Sequence, residues 1–373
     1  MSAACLACDD HDLDAGGLLV IDLAAIEANY RHLVGLAAPA HVAGVVKADA
    51  YGLGAVAVTE RLVAAGCRHF FVAELSEALE LRPLLPEGAV IAVLNGLAPG
   101  ANAAAADAGI VPVANSLTQL RAWAALAAER CTRLSTILQV DSGMSRLGLS
   151  PAEVDELAAS PELLRSLDLL FIMSHLACAD EPLHPANRAQ LAAFIAAKAK
   201  LGIERASFAN SAGIFLGKDY HFDLCRPGAS VYGLGVGPAA YGIRPVVRLE
   251  ARISQLRTIP PSASVGYGYT FTADREMRLA TLSIGYADGW PRALGQIGAA
   301  WVDGVRLPFT GRISMDSCTI DVGALPHGRL RPGSLVELLG PHQSADDIAR
   351  LTGTIGYEIL TRLGRRYCRR YVG

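Results

Sequence analysis

Lysine is almost missing from this chain. Four of its 373 residues are lysine, at positions 47, 198, 200 and 218, against twenty-nine arginines. Routine positive charge therefore falls to arginine, and each lysine needs a reason of its own. No apolar run approaches the roughly 20 residues needed to span a bilayer. Neither sign of charge is in excess: the formal charge is −3 and the pI near 6.3, which removes the electrostatic case for nucleic acid. The one basic cluster, RRYCRR at 365–370, reads as an exposed face of a terminal helix or strand rather than a phosphate tract. Paired cysteine motifs are also lacking. Eight cysteines are scattered along the chain, and Cys5-Leu-Ala-Cys8 stands alone without a second pair, so no metal site is expected and the thiols read as free. The opening MSAACLACDDHDLD is acidic where a signal peptide is basic, and no apolar core follows, so a cytoplasmic location is expected.

What is present is alternation. From about Gly17 to Val247, short apolar runs alternate with Ala/Leu/Glu/Arg-rich stretches of helical period. The runs are 43–48, 69–73, 90–96, 110–114, 135–141, 169–175, 205–211 and 224–229; helical stretches include 55–66, 75–85, 116–130 and 185–202. Strands that are apolar throughout and joined by helices imply a parallel sheet buried on both faces, and eight of them in this length predict a (β/α)8, TIM-like barrel. After Arg248 the pattern becomes strand-like and rich in Gly and Pro turns, with a hairpin signal at Asp303-Gly304. The expected organisation is an N-terminal extension over 1–17, a barrel over 18–247 and a mainly β domain over 248–373.

In a parallel barrel the chemistry sits at the carboxyl ends of the strands. Lys47 ends the first run in VVKADAYGLG, and Asp141 and Arg146 follow the fifth in VDSGMSRLG. His175 ends the sixth, Asn210 and Ser211 end the seventh, and Arg226 lies in the eighth. A desolvated lysine can become a neutral nucleophile, which arginine cannot. The small residues of FANSAG and RPGAS are open to two readings, ordinary βα turns or an anion cradle in which backbone N–H groups approach a phosphate. A phosphate cradle opposite a buried lysine would suit pyridoxal phosphate held through an imine on Lys47.

The segments VVKADAYGLGA, VDSGMSRLG, SHLACAD, FANSAGIF, RPGASVYG, VGYGYTF, SIGYADGW, GRISMDSCTIDV and GYEILTRLGRR together resemble alanine racemase over all but about the first seventeen residues. The resemblance implies a homodimer with shared active sites that interconverts L- and D-alanine on pyridoxal phosphate, without metal, membrane or nucleic acid, for peptidoglycan supply or alanine catabolism. It implies that Lys47 bonds the cofactor and is one base, with Tyr267 from the second subunit as the other. Racemisation needs two opposed acid–base groups, because a proton taken from one face is replaced on the other. Both side chains titrate near 10 when unperturbed and must be tuned downward.

Further roles follow from the same resemblance. Arg226 would face the pyridine nitrogen, with His175 hydrogen-bonded to it. Tyr51, Ser211, Tyr357 and the backbone at Gly228 and Ala229 would bind phosphate, with Asn210 in support. Arg146 and the backbone of Met315, again from the second subunit, would take the substrate carboxylate, and Tyr286 and Asp316 would gate entry. The chain departs from the family at Gln139, where some members carry a carbamylated lysine that positions the arginine, so Arg146 must be oriented by a neutral amide or by another group. Competing readings are a serine or broad-specificity racemase and, in another class, a non-catalytic pyridoxal phosphate protein, which would lack the β domain. A decarboxylase and a dinucleotide loop at Gly233-x-Gly235-x-Gly237 are more remote.

Overall fold

The computed structural model describes residues 15–237 and 241–373, so Cys5 and Cys8 lie outside the described residues. The described residues divide into two compact units: one from Ile26 to Arg244, the other from Pro245 to Gly373 together with residues 15–25.

In the first unit seven parallel strands follow one another in sequence order: Gly44–Val45, His69–Val72, Val90–Val93, Val111–Ala114, Ser135–Gln139, Asp168–Met173 and Ala206–Ser207. An eighth, Leu224–Cys225, pairs in parallel with His41–Val42 at the start of the series. Ring closure is completed by Ala43 N–H on Cys225 O (2.9 Å), Asp223 N–H on Ala206 O (3.0 Å) and Arg226 N–H on Ala209 O (2.8 Å). This is the expected eight-strand barrel, with every run in its anticipated place.

The connecting helices carry their own start and stop chemistry. Ser150 caps Pro151–Ala159 in a reciprocal box with Glu153, and Ser116 caps Leu117–Glu129 by accepting the Gln119 N–H. Helix Pro185–Leu201 ends at Gly202 (φ 63°), with Lys198 and Lys200 in its last turn, where cations meet the negative end of the helix dipole. Two of the four lysines are thereby explained structurally. Under the seventh strand, Phe194 and Phe208 stack at 4.8 Å while Phe222 stands edge-on to both.

The second unit is mainly β, as the sequence predicts. Its organising element is Val247–Ile259, a strand of 13 residues with a register break between Ile253 and Gln255. Its first half pairs with Leu335–Leu339 and its second half with Met277–Leu282, so a single strand serves two sheet regions. Ala299–Val302 and Val305–Pro308 form the anticipated hairpin, with Asp303 (φ 51°) and Gly304 (φ 78°) both left-handed in its turn.

One boundary is corrected. The segment from residue 18 was expected to enter the barrel, but Gly17–Asp22 pairs antiparallel with Val247–Ile259 and parallel with Cys368–Val372. Its alternating burial explains this, since Leu19 and Ile21 are fully buried while the intervening residues are only half-buried, the signature of a strand in a one-sided sheet. The basic tail RRYCRR thus runs into a strand, as one of its two readings held.

Phe208 is fully buried among three aromatic rings. Phe208→Ala is expected to lower barrel stability by about 3–5 kcal/mol, read as a fall in the urea midpoint of far-UV circular dichroism.

Candidate active site

Lys47 leaves the buried pair Val45-Val46 and opens a turn of unusual hand. Ala48, Asp49, Ala50 and Tyr51 all have left-handed backbone angles, with φ of 55, 54, 51 and 58°. Each such non-glycine residue costs about 1–2 kcal/mol, so the turn must be held from outside. The Asp49 carboxylate accepts the Ala55 N–H at 2.7 Å, and the Glu77 carboxylate accepts the Ala48 N–H at 2.6 Å. The ring of Tyr51 stacks on Tyr232 at 4.6 Å, and the Tyr232 hydroxyl donates to Val45 O at 2.8 Å, tying the stack to the strand that delivers Lys47. Lys47 itself is half-buried. Burial, then the positive charge of Arg146, push its pKa below the usual lysine value, and Glu77 opposes them.

The turn brings Tyr51 against the last βα loop. A Cβ on Gly228 would lie 2.1 Å from the Tyr51 hydroxyl oxygen, so only glycine fits there. Ser211 Oγ accepts the N–H groups of Gly228 (3.0 Å) and Ser230 (3.2 Å), which leaves its own proton free to donate inward. Asn210 supports the loop by accepting the Gly213 N–H at 2.9 Å and donating to Leu176 O at 3.3 Å. The buried hydroxyl of Ser230 has no hydrogen-bond partner. Buried polar groups are normally satisfied. An orphan hydroxyl, a serine with a spare proton, the tyrosine hydroxyl and a glycine that admits close approach fit a phosphate group.

Arg226 is buried, and its partners differ from the expectation. It donates to Ser207 Oγ and to Ser174 O (2.6 Å), and not to the imidazole of His175. Burial presses its pKa down to about 10, which leaves it cationic at neutral pH. His175 follows Ser174 directly. Burial, then Arg226, Arg146 and Lys47, drive its pKa down to about 3, so it is neutral under ordinary conditions. His175 thus faces Arg226 as a neutral ring beside a cation.

Arg146 is exposed on the loop after the fifth strand. Burial works to raise the pKa of Asp141, but the N–H groups of Gly143, Ser145 and Met144 outweigh it and hold the carboxyl below its usual value. Those bonds, at 2.8–3.1 Å, fold the loop back, and Gly148 (φ 106°) lets it pass close to Val140. Gln139 is buried on the preceding strand. Neither its amide nor the Arg146 guanidinium is hydrogen-bonded to a side chain among the described residues.

The second unit presents the other expected residues. Tyr267 lies on a short turn between Gly266 (φ 72°) and Gly268 (φ 70°) and is 71% exposed; Met315 is 53% exposed. The backbones of Tyr286 and Met315 meet, through Tyr286 N–H on Ser314 O (3.1 Å) and Ala287 N–H on Met315 O (2.9 Å). Arg366 braces this pair of loops by gripping Asp288 at 2.6 and 2.9 Å and Asp316 at 2.7 Å. Tyr357 sits on helix Gly356–Thr361. The glycine-rich loop at 233–237 runs in turns with no helix following among the described residues.

The structure therefore gathers Lys47, Tyr51, Arg146, His175, Ser211, Arg226 and Gly228 at one rim of the barrel unit, and Tyr286, Met315 and Asp316 on adjoining loops of the second. Sequence reasoning missed Glu77, Ser174, Ser207 and Tyr232. A signal was available for Ser174 and Tyr232, which stand in the quoted SHLACAD and RPGASVYG. Among the described residues there is no cluster able to hold a metal ion and no helix long and apolar enough to cross a membrane.

Comparison with known proteins yields two family matches, to the alanine racemase N-terminal domain over residues 21–236 and the alanine racemase C-terminal domain over 246–371. A catabolic alanine racemase of Mesorhizobium japonicum is 53% identical over 96% of this chain and 94% of its own length. The alanine racemase of Brucella canis is 50% identical over 98% and 96%. A crystal structure of alanine racemase from Bartonella henselae with covalently bound pyridoxal phosphate superposes with a TM-score of 0.92 at 44% identity, covering 96% of this chain and all of that one.

The His175 environment carries a pH signature. An unfolded histidine protonates near 6.5, so between that value and about 3 the unfolded chain holds the extra proton. Stability from this residue is complete above about pH 6.5 and is lost as pH falls. His175→Gln is expected to flatten the decline in urea midpoint between pH 6.5 and about 4 relative to the unsubstituted chain.

Proposed function

Because the chain belongs to the alanine racemase family, we propose that it interconverts L-alanine and D-alanine with Lys47 and Tyr267 as the two bases. The protein is a pyridoxal phosphate-dependent isomerase acting on a small amino acid. Pyridoxal phosphate supplies the electron sink that acidifies the α-carbon of a bound amino acid. The observation that carries the assignment of Lys47 is a half-buried amine whose proton is loosened by burial and by Arg146, at the same rim as the donor-rich loop.

Tyr51, Ser211, Gly228 and Ala229 hold the phosphate, supported by Asn210, with Tyr357 contributing from its helix. Arg226 donates to the ring nitrogen. A cationic donor there would leave that nitrogen unprotonated and the bound group a weaker electron sink. Arg146 and the Met315 backbone orient the substrate carboxylate, and Tyr286 with Asp316 line its entry. Lys47 takes or returns the α-proton on one face, and Tyr267 serves the other.

A catalytic base works shielded from bulk water, and Tyr267 is 71% exposed. That supports a homodimer in which the partner subunit's Tyr267 serves the site of Lys47. The six described cysteines, at 67, 131, 178, 225, 318 and 368, are all free thiols, which suits the reducing cytoplasm. Supply of D-alanine for peptidoglycan and catabolism of alanine both fit this reaction.

A D-amino-acid-oxidase-coupled assay on L-alanine, run beside serine, tests the reading. Alanine is expected to turn over faster, and no turnover with added pyridoxal phosphate overturns the reading. Borohydride reduction is expected to fix the cofactor on Lys47. Tyr267→Phe is expected to slow α-proton exchange by at least about a hundredfold for one enantiomer and far less for the other, measured by NMR in deuterated water.

A further inference from the structure

We propose that Glu77 is a positioning residue for Lys47, clamping the peptide bond that follows it and setting a carboxylate beside its amine. The inference rests on Lys47 being the cofactor lysine.

Glu77 is the third residue of helix Leu75–Leu81, a common position for a capping carboxylate. Its Oε2 does that work, accepting the N–H groups of Ala73 (2.7 Å) and Glu74 (3.0 Å). A cap needs nothing more. Oε1 instead reaches a different element and accepts the Ala48 N–H at 2.6 Å, the peptide next to Lys47 and the first of the left-handed turn. One side chain thus joins the end of the second strand to the residue that follows the first, through three N–H donors on two oxygens. A glutamine in its place has one oxygen, and its amide would turn a donor toward a donor.

The charge has a second effect. The groups that act on the Lys47 amine are Arg146, from the loop after the fifth strand, and Glu77, while His175 beyond them is neutral. Arg146 drives the proton off and Glu77 retains it. Burial lowers the amine's pKa first, and Arg146 and Glu77 then adjust how readily Lys47 alternates between ammonium and amine, which a residue that both gives and takes a proton requires.

The test uses the full chain without cofactor. Competitive acetylation of amines across pH, read at Lys47 by mass spectrometry, gives the midpoint at which the amine becomes reactive. Glu77→Gln is expected to move that midpoint down by about half a unit to one unit. Amide hydrogen exchange over 48–51 is expected to rise about tenfold while the strand His69–Val72 keeps its protection. A folded Glu77→Gln with an unmoved midpoint overturns the proposal, as does loss of protection shared equally by the barrel strands. If that variant does not fold, Glu77→Asp decides. It keeps the charge and shortens the reach, so exchange over 48–51 is expected to rise with the midpoint in place; unchanged exchange, or a midpoint that falls, overturns the proposal. Borohydride trapping separates the two readings. A label that never lands on Lys47 removes the cofactor assignment, whereas the midpoint shift is measured independently of it.

Discussion

A buried guanidinium without a carboxylate is the constraint around which the barrel rim is arranged. Arg226 is 4% exposed, and its recorded partners are a serine hydroxyl and a main-chain carbonyl, both neutral. Buried charges are ordinarily matched by an opposite charge, because desolvation costs several kcal/mol per ion. Here the neighbouring charges are of the same sign. Burial first, then Arg226, Arg146 and Lys47, keeps the imidazole of His175 neutral. The rim is a concentration of positive potential in a low-dielectric wall, a standing preference for an anionic guest. Burial, then Arg146, likewise holds the Lys47 pKa below the usual lysine value.

That arrangement depends on backbone geometry that side-chain chemistry alone does not provide. Four consecutive left-handed residues are held by two carboxylates, a tyrosine stack and the close approach that Gly228 grants Tyr51. The strain is local and its supports are spread over three βα units, so the geometry of the site is a property of the closed barrel rather than of any one loop. Strain held by surrounding structure is common where groups must be set in place before a ligand arrives.

How much of this the sequence reveals depends on how local the cause is. The barrel strands were legible because parallel strands buried on both faces are apolar throughout, and the hairpin because Asp303-Gly304 carries its own turn preference. Lys47 stood out through scarcity. Gly17–Asp22 was misplaced because its partners begin at Val247 and Cys368, and pairing at that separation leaves no mark in the strand's own residues. The left-handed turn was invisible because Ala48-Asp49-Ala50-Tyr51 contains none of the glycines that advertise such angles. Ser207 holding Arg226 went unread for a related reason: an interior hydroxyl on a two-residue strand looks like any small core residue until the strand opposite is in place.

The interleaving of the first and last strands has a consequence for biogenesis. Gly17–Asp22 is translated before the whole barrel unit, yet its parallel neighbour Cys368–Val372 is translated after it. Until Cys368–Val372 emerges, one side of Gly17–Asp22 is an open β edge, although its Leu19 and Ile21 are fully buried in the finished sheet. The barrel can close on local contacts as it emerges, whereas the other sheet lacks its edge strand Cys368–Val372 until that segment is made. Nascent chains stalled before Cys368–Val372 would thus carry a finished barrel and a sheet with a sticky open edge, the state in which a chaperone has most to hold.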